Sequence, residues 1–198
     1  MAKKIRKSFL KKRKNSNKEK TTFNLRGNII SKYLKAIALS HREAFFYRPL
    51  KNTVLISYAD YNHGEMATPL PRMVKRRYKA VLELPVNDID FPNQKNSFLT
   101  ALFPNHNYHI FNDSDCKKLK YFIKTYKQSH FIVNCDAGVS RSSATALYIC
   151  YRLAPKDYHK LMKLNIYYPN VLIFSFLKEG KFNSCLYEKY NKILHRLS

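Results

Sequence analysis

The segment from residue 130 to residue 153 constrains the fold of this chain more than any other. It begins with the apolar run HFIVN, continues through CDAGVS, and ends in the helical pattern RSSATALYICYRL. A short apolar run before a tight loop and a helix is typical of a buried strand in a parallel sheet. The segment therefore predicts a strand over 130–134, a short loop, and a helix from about Arg141.

Strand and helix patterns alternate along much of the remaining chain. β-Branched apolar runs predict two further strands, whereas apolar residues at i, i+3 and i+4 predict helices. This alternation indicates the α/β class, with a mainly parallel central sheet flanked by helices on both faces. The predicted strands cover 52–60 and 78–88, the predicted helices cover 114–128 (capped by Asp113 or Ser114), 155–164 and 185–197, and a long loop is predicted over 91–112.

The N-terminal residues differ in composition from the rest of the chain. Residues 1–20 contain ten Lys or Arg and one Glu, in a chain whose formal net charge is +24. Because like charges in such a block repel one another, we predict a disordered basic arm over 1–21 and one folded domain over 22–198. The arm is suited to contact with a polyanion, either nucleic acid or an anionic membrane, and a merely solvated tail is the alternative.

The cysteines and the hydropathy pattern indicate an intracellular protein. Cys116, Cys135, Cys150 and Cys185 form no C-x-x-C pair and show no zinc-ligand spacing. Free thiols of this kind suit a reducing compartment, which we expect to be the cytoplasm, or the nucleus in a eukaryotic cell. We expect no signal peptide and no transmembrane segment. Nothing in the sequence implies a metal or an organic cofactor, and the pattern carries no signal of oligomeric state.

The loop before the helix at Arg141 has the features of an anion site. Successive N–H groups at a helix N-terminus form a concave nest for an oxyanion, and Gly138 permits the backbone angles of such a turn. The planar guanidinium of Arg141 binds two phosphate oxygens at once. The predicted phosphate ligands are the backbone of Asp136, Ala137, Gly138, Val139, Ser140 and Arg141, together with the Arg141 side chain.

Cys135 lies at the mouth of this predicted cradle. A helix N-terminus and a nearby cation favour the thiolate form of a cysteine. A thiolate beneath a bound phosphate attacks phosphorus in line and forms a phosphocysteine. The hydroxyl of Ser142 is placed to stabilise the sulfur when it leaves in the second step. We therefore predict that Cys135 is a nucleophile.

The stretch VNCDAGVSRSS resembles the signature loop of the cysteine-dependent protein tyrosine and dual-specificity phosphatases, whose pattern is His-Cys-x5-Arg-Ser/Thr. Cys135, Gly138, Arg141 and Ser142 match that pattern. Asn134 replaces the family's His, which orients the loop and tunes the thiolate, and it is expected to support the loop by similar hydrogen bonds. Over roughly residues 50–185 the order of segments is similar to compact members from prokaryotes and viruses. The resemblance implies a protein-tyrosine-phosphatase-like fold.

The resemblance also implies a general acid. In the family an Asp on a separate loop protonates the leaving oxygen and later activates water. The segment VND at the end of the second predicted strand matches that loop, which implies Asp88. Asp90, two residues further on, is the alternative.

The leading function is hydrolysis of phosphotyrosine on proteins, extending to phosphoserine and phosphothreonine, through a phosphocysteine intermediate. An RNA 5′-triphosphatase or a phosphoinositide phosphatase with the same loop is an alternative, because the positive charge suits a polyanionic substrate. Against it, the loop contains Asp136 and no Lys, and the Arg-Ser-Ser ending is more like dual-specificity enzymes. A non-catalytic phosphate-binding module is the third hypothesis.

Overall fold

The computed structural model of the chain divides into two compact units, residues 1–34 and 35–198. In the first unit, β1 (Thr21–Phe23) pairs antiparallel with β2 (Ile29–Ser31). Three parts of these predictions lie outside the described residues: residues 1–20 of the predicted arm, residues 91–107 of the predicted loop, and residues 186–197 of the predicted C-terminal helix. The structure describes residues 21–23, 29–31, 34–62, 65–90, 108–164, 167–183 and 185.

A four-stranded sheet forms the centre of the second unit. All of its neighbouring strands pair in parallel, which confirms the α/β fold class. Its strand order is β3 (Ala36–Ser40), β8 (His130–Cys135), β4 (Thr53–Ala59) and β7 (Val81–Pro85). The sequence patterns predicted the last three strands, at slightly different bounds, and did not predict β3. A small antiparallel pair, β5 (Tyr61–Asn62) and β6 (Glu65–Met66), follows β4.

Six helices are described, and they begin and end close to the predicted bounds where a prediction was made. Helices over 41–46, 72–75 and 171–179 were not predicted. The longest of these arises from the apolar run VLIFSFL, whose length and lack of periodicity gave no clear signal. The helices are α1 (His41–Phe46), α2 (Arg72–Lys75), α3 (Asp113–Thr125), α4 (Arg141–Leu153), α5 (Pro155–Leu164) and α6 (Val171–Glu179).

Helices lie against both faces of the sheet. The Tyr58 hydroxyl on β4 bonds the Thr145 hydroxyl of α4 at 2.7 Å. On β4, Ser57 precedes Tyr58, so its side chain points to the opposite face of the sheet. Glu83 on β7 is in register with Ser57 and shares that face, and the Glu83 carboxylate accepts a hydrogen bond from Lys75 of α2 at 2.9 Å. All seven residues of β4 are buried as a result. No helix among the described residues is long and apolar enough to cross a membrane.

Helix α4 is the buried centre of the helical layer. Its residues 141–150 are all buried, and it contacts β3, β8, α5 and α6. A helix that is covered on every side holds its N-terminus at a fixed position relative to the sheet. The beginning of α4 is also the end of the loop that follows β8, so the packing of α4 positions the predicted anion site.

Helix α3 starts one residue earlier than the sequence indicated. Asn112, and neither Asp113 nor Ser114, is its N-cap: the Asn112 side chain accepts from the backbone N–H of Ser114 at 2.8 Å. The Asp115 carboxylate accepts in return from the Asn112 N–H at 3.2 Å. The predicted caps were wrong because Asn112 and Asp115 each accept a hydrogen bond from a backbone N–H group at the start of the helix. A cap at Asp113 or Ser114 would lose this reciprocal pair of hydrogen bonds.

The corrected cap can be tested by a pair of alanine variants. Asn112→Ala should lower the free energy of unfolding by about 1 kcal/mol, since it removes the acceptor of the first helical N–H groups. Ser114→Ala should change it by less than about 0.5 kcal/mol, because the Ser114 side chain has no capping role. Urea denaturation of both variants measures the difference, and equal effects would contradict the assignment.

Candidate active site

The candidate active site lies where the sheet strands end. Because the strands are parallel, their carboxyl ends meet at one edge, which is where sites form in open α/β sheets. Strand β8 ends at Cys135, β4 is followed by Asp60, and β7 is followed by Val86 and Asp88. The N-terminus of α4 faces the same edge. Chain segments that are far apart in sequence therefore meet around Arg141.

The loop between β8 and α4 is held in place by its carbonyl groups. A trans peptide directs each C=O and the following N–H to opposite sides. Four loop carbonyls accept hydrogen bonds from donors outside the loop, so the N–H groups of residues 137, 139, 140 and 141 point the other way, as an anion cradle requires. The four bonds are His41 N–H to Asp136 O and Tyr168 N–H to Val139 O at 3.2 Å each, Asn170 N–H to Ser140 O at 3.2 Å, and Ser143 Oγ to Gly138 O at 3.4 Å.

Gly138 has the backbone angle that the turn was expected to need. Its φ is +74°, in the left-handed region that side chains disfavour. It also lies directly against β3: a Cβ built on Gly138 would be 2.4 Å from the backbone N of Ser40. The loop therefore approaches the sheet so closely that only glycine fits here.

Cys135 and Ser142 lie side by side beneath the loop. The Cys135 Sγ is 3.1 Å from the Ser142 Oγ, and both residues are buried. Cys135 is a free thiol. The Ser142 hydroxyl therefore lies within hydrogen-bond distance of the Cys135 sulfur.

Arg141 is the buried centre of the site, with 2% of its surface exposed. Its Nη1 donates to Asp60 Oδ1 at 2.7 Å and to the Val86 carbonyl at 2.5 Å, and its Nη2 donates to Asp136 Oδ2 at 3.2 Å. Its Nε lies 3.7 Å from Asp88 Oδ2 and has no hydrogen-bond partner among the residues that the structure describes. A buried donor without an acceptor costs free energy, which a bound oxyanion would recover.

Asp60 is a site residue that the sequence analysis missed. Burial raises the pKa of its carboxyl, while the Arg141 guanidinium opposes the rise and Asp136 adds to it. The available signal was its position: Asp60 is the last residue of the predicted strand 52–60, and so belongs to the carboxyl edge where sites form. The Asp136 side chain is half-exposed and pairs with Arg141.

The two candidate acids, Asp88 and Asp90, point to different places. Asp88 Oδ1 accepts from the Ser140 hydroxyl at 2.6 Å and from Asn170 Nδ2 at 3.0 Å, which holds this carboxyl against the loop. Asp90 Oδ1 accepts from the backbone N–H of Val171 at 3.1 Å, at the beginning of α6. Burial, and next the charge of Asp88, raises the pKa of Asp90 to about 6. Asp88 adjoins the cradle, whereas Asp90 caps a helix.

Asn170 was also missed, although its sequence carried a signal. Asn before an apolar run and after a proline is typical of a helix start, and Asn170 is the N-cap of α6. Its Oδ1 accepts from the Ile173 N–H at 2.9 Å, and its Nδ2 donates to Asp88 and to the Ile89 carbonyl. One buried amide thus joins a helix start to the loop that carries Asp88.

Asn134 does not make the hydrogen bonds expected of it. It is fully buried in β8, in register with Leu39 and Ser57, and neither atom of its amide has a partner in the described part of the chain. The residues in register on the two neighbouring strands are one apolar residue and one serine. The expected hydrogen bonds to the loop are therefore absent among these residues.

Comparisons with known proteins find similarity among solved structures. No family model and no curated protein matches the chain. The similar structures include dual-specificity and tyrosine phosphatases, the class that the signature loop resembles.

The particular structures cover most of the chain at low identity. Human DUSP28 is 18% identical, covers 84% of this chain and 98% of its own, and has a TM-score of 0.40. The Orf virus protein OH1, described as a tyrosine phosphatase with triple substrate specificity, is 18% identical over 81% of this chain and 85% of its own, with a TM-score of 0.38. Tk-PTP in its active form is 10% identical over 81% and 90%, with a TM-score of 0.38.

The role of Gly138 can be separated from simple backbone strain. Gly138→Ala should abolish phosphate binding, because the new methyl group would displace the loop from β3. Gly180→Ala is the matched control: Gly180 has a φ of +78°, but nothing lies within 4 Å of a Cβ built on it. Both variants should lose about 1 kcal/mol to the strained φ. Only Gly138→Ala should lose more than this from the free energy of unfolding and fail to bind inorganic phosphate in calorimetry. Equal stability and equal phosphate binding of the two variants would contradict the close approach of Gly138 to β3.

Proposed function

We propose that this chain is a cysteine-dependent phosphatase that hydrolyses phosphomonoesters on proteins through a phosphocysteine intermediate. The observation that carries the proposal is the meeting of four groups at one sheet edge: a buried thiol, a hydroxyl 3.1 Å from it, a buried guanidinium whose Nε has no partner among the described residues, and an aspartate beside the loop. Each group corresponds to one requirement of phosphoryl transfer to sulfur.

The first step uses Cys135, Arg141 and Asp88. The Cys135 thiolate attacks phosphorus, a sulfur–phosphorus bond forms, and the bond from phosphorus to the leaving oxygen breaks. Arg141 and the loop N–H groups stabilise the negative charge on the equatorial oxygens. Asp88 donates its proton to the leaving oxygen; because Oδ1 already accepts two hydrogen bonds, we assign the proton to Oδ2.

The second step restores the enzyme. Asp88, now a carboxylate, accepts a proton from water as the water oxygen attacks phosphorus. The sulfur–phosphorus bond breaks, phosphate leaves, and the electron pair returns to sulfur. The Ser142 hydroxyl donates a hydrogen bond to the departing sulfur, which lowers its negative charge density.

The carboxyl groups around Arg141 favour a substrate of low charge. Asp60, Asp88 and Asp136 all approach one guanidinium, so the site holds more acidic than basic groups. A monoester on a protein side chain adds fewer negative charges to this site than a triphosphate or a phosphorylated inositol does. We therefore infer a phosphoprotein substrate, and tyrosine phosphate in particular matches the family resemblance.

The nucleophile is tested by replacing single cysteines. Cys135→Ser should reduce hydrolysis of p-nitrophenyl phosphate by at least about 10³-fold, measured with a chelator present, because a serine hydroxyl is a far weaker nucleophile here. Cys185→Ser, which removes an exposed thiol, should retain wild-type activity. If wild type and Cys135→Ser are equally inactive, the chain is a non-catalytic module and the proposal is wrong.

The same enzyme preparation distinguishes the substrate classes. Phosphate release from a phosphotyrosine peptide should exceed release from triphosphate-ended RNA and from a phosphoinositide at equal concentration. A preference for either polyanion would contradict the substrate assignment while leaving the chemistry in place.

The general acid is tested by comparing Asp88→Asn with Asp90→Asn. Asp88→Asn should lower kcat for phenyl phosphate by about 10²- to 10⁴-fold, since the leaving oxygen then receives no proton. Asp90→Asn should retain most of the activity, and the opposite ranking would assign the acid to Asp90.

Stability provides an independent check on Asp90. Its folded-state pKa of about 6 is above the ordinary value, so the protonated form is favoured by folding, and stability is lost as the pH rises through 6. Asp90→Asn, which cannot ionise, should therefore be more stable than wild type at pH 8 and no more stable at pH 4. Thermal unfolding at the two pH values measures the change.

A further inference from the structure

A row of lysines lies at the edge of the sheet opposite the candidate active site. The strands are parallel, so their amino ends share this edge. Each strand is preceded within three residues by a lysine: Lys35 before β3, Lys127 before β8, Lys51 before β4 and Lys79 before β7. We call these four residues the lysine row.

Two ammonium groups of the row contact uncharged oxygens. Lys35 Nζ donates to the Lys127 carbonyl at 2.6 Å, and Lys79 Nζ donates to Asn52 Oδ1 at 3.3 Å. Within the described ranges, the carboxylate ion pairs of lysines involve Lys75 and Lys117, and none involves the row. The Asp157 carboxylate accepts from the backbone N–H of Lys35 at 2.8 Å and interacts electrostatically with the Lys35 ammonium group. The other three lysines of the row therefore carry positive charge without a carboxylate ion pair among the described residues.

Two stretches of the domain carry basic residues without acids. Residues 116–135 contain five lysines and no acid, and residues 66–82 contain five basic residues and no acid. Asp60, Asp88 and Asp136 lie at the other edge. Strand β4 has seven residues, so at about 3.3 Å per residue the edges are separated by about 20 Å. A polyanion on the row would not enter the candidate active site.

The dimensions and neighbours of the row suit a nucleic-acid strand. Adjacent strands are about 4.8 Å apart, so the row extends over about 14 Å, enough for several consecutive phosphates. Asn52 adds an amide between the lysines. Tyr121, on the α3 helix that leads to Lys127, is 73% exposed and has lysines on either side in sequence. An exposed aromatic ring beside cations is the arrangement on which unpaired bases stack.

We propose that the lysine row and Tyr121 form a binding surface for single-stranded nucleic acid. The surface is separate from the predicted N-terminal arm and from the phosphatase site, and the proposal does not depend on catalytic activity. Its consequence is that the folded domain itself would hold the enzyme on RNA or single-stranded DNA while leaving the carboxyl edge open to substrate.

The test uses the full-length chain and a labelled 20-nucleotide single-stranded RNA in fluorescence anisotropy. The triple variant Lys51→Gln, Lys79→Gln and Lys127→Gln should bind more weakly, and its slope of log Kd against log salt should fall by about 2, at about 0.7 for each lost phosphate contact. The matched control, Lys163→Gln, Lys178→Gln and Lys181→Gln, makes the same charge change at exposed lysines outside the row and should keep the wild-type slope.

A second comparison tests the aromatic contact. Tyr121→Ala should weaken RNA binding about fivefold or more, the loss expected for one stacked base. Tyr151→Ala, which removes another exposed tyrosine, should leave the affinity unchanged. Equal unfolding temperatures, and equal hydrolysis of p-nitrophenyl phosphate by all four variants, would show that the surface alone was altered.

Three outcomes would overturn the proposal. If the two triple variants weaken RNA binding equally, binding depends on the net charge of the protein and not on the lysine row. No weakening by the row variant would assign RNA binding to other residues, such as the N-terminal arm. Loss of binding to phosphatidylserine vesicles with unchanged RNA binding would identify the row as a membrane surface.

Discussion

The site depends on the burial of one charged group, the guanidinium of Arg141. It is bound by Asp60 after β4, by the Val86 carbonyl after β7, and by Asp136 in the loop after β8. These contacts join three chain segments through one side chain. Among the described residues of the site, no other side chain connects the same three segments. The guanidinium is buried while its carboxylate partners are about half exposed, so removing one carboxylate leaves part of a buried charge uncompensated. The same contacts that stabilise the guanidinium therefore fix the geometry of the loop around Cys135.

A parallel sheet gives this domain two chemically different edges. The carboxyl edge collects the acids that surround Arg141, and the amino edge collects lysines whose ammonium groups contact neutral oxygens. The formal charge of +24 is consequently a poor guide to the potential at the site. The proposed phosphoprotein substrate follows from the local excess of carboxyl groups, and the proposed nucleic-acid surface follows from the lysines at the opposite edge.

Local sequence patterns were reliable where one element carried its own signal. The apolar stripe of α3 and the strand–loop–helix order around Cys135 were both predicted, since each depends on residues close in sequence. Strand β3 was missed because AIALS is short and has no alternation, and it is fixed by pairing with β8. The predicted cap of α3 was one or two residues too late, because Asn112 and Asp115 accept hydrogen bonds from each other's backbone N–H groups. Asn112, Asp113 and Ser114 are all residue types that cap helices, so the sequence alone did not distinguish them.

The sequence by itself determined the spacing of Cys135, Gly138, Arg141 and Ser142, because these four residues lie within eight consecutive positions that join a strand to a helix. Only the tertiary structure decided which carboxyl groups reach Arg141. Asp60 does so, Asp88 approaches it, and Asp90 turns to the start of α6, although Asp88 and Asp90 are two residues apart. The physical reason is that these contacts depend on the order of strands in the sheet and on where α6 begins, and neither is encoded in local periodicity.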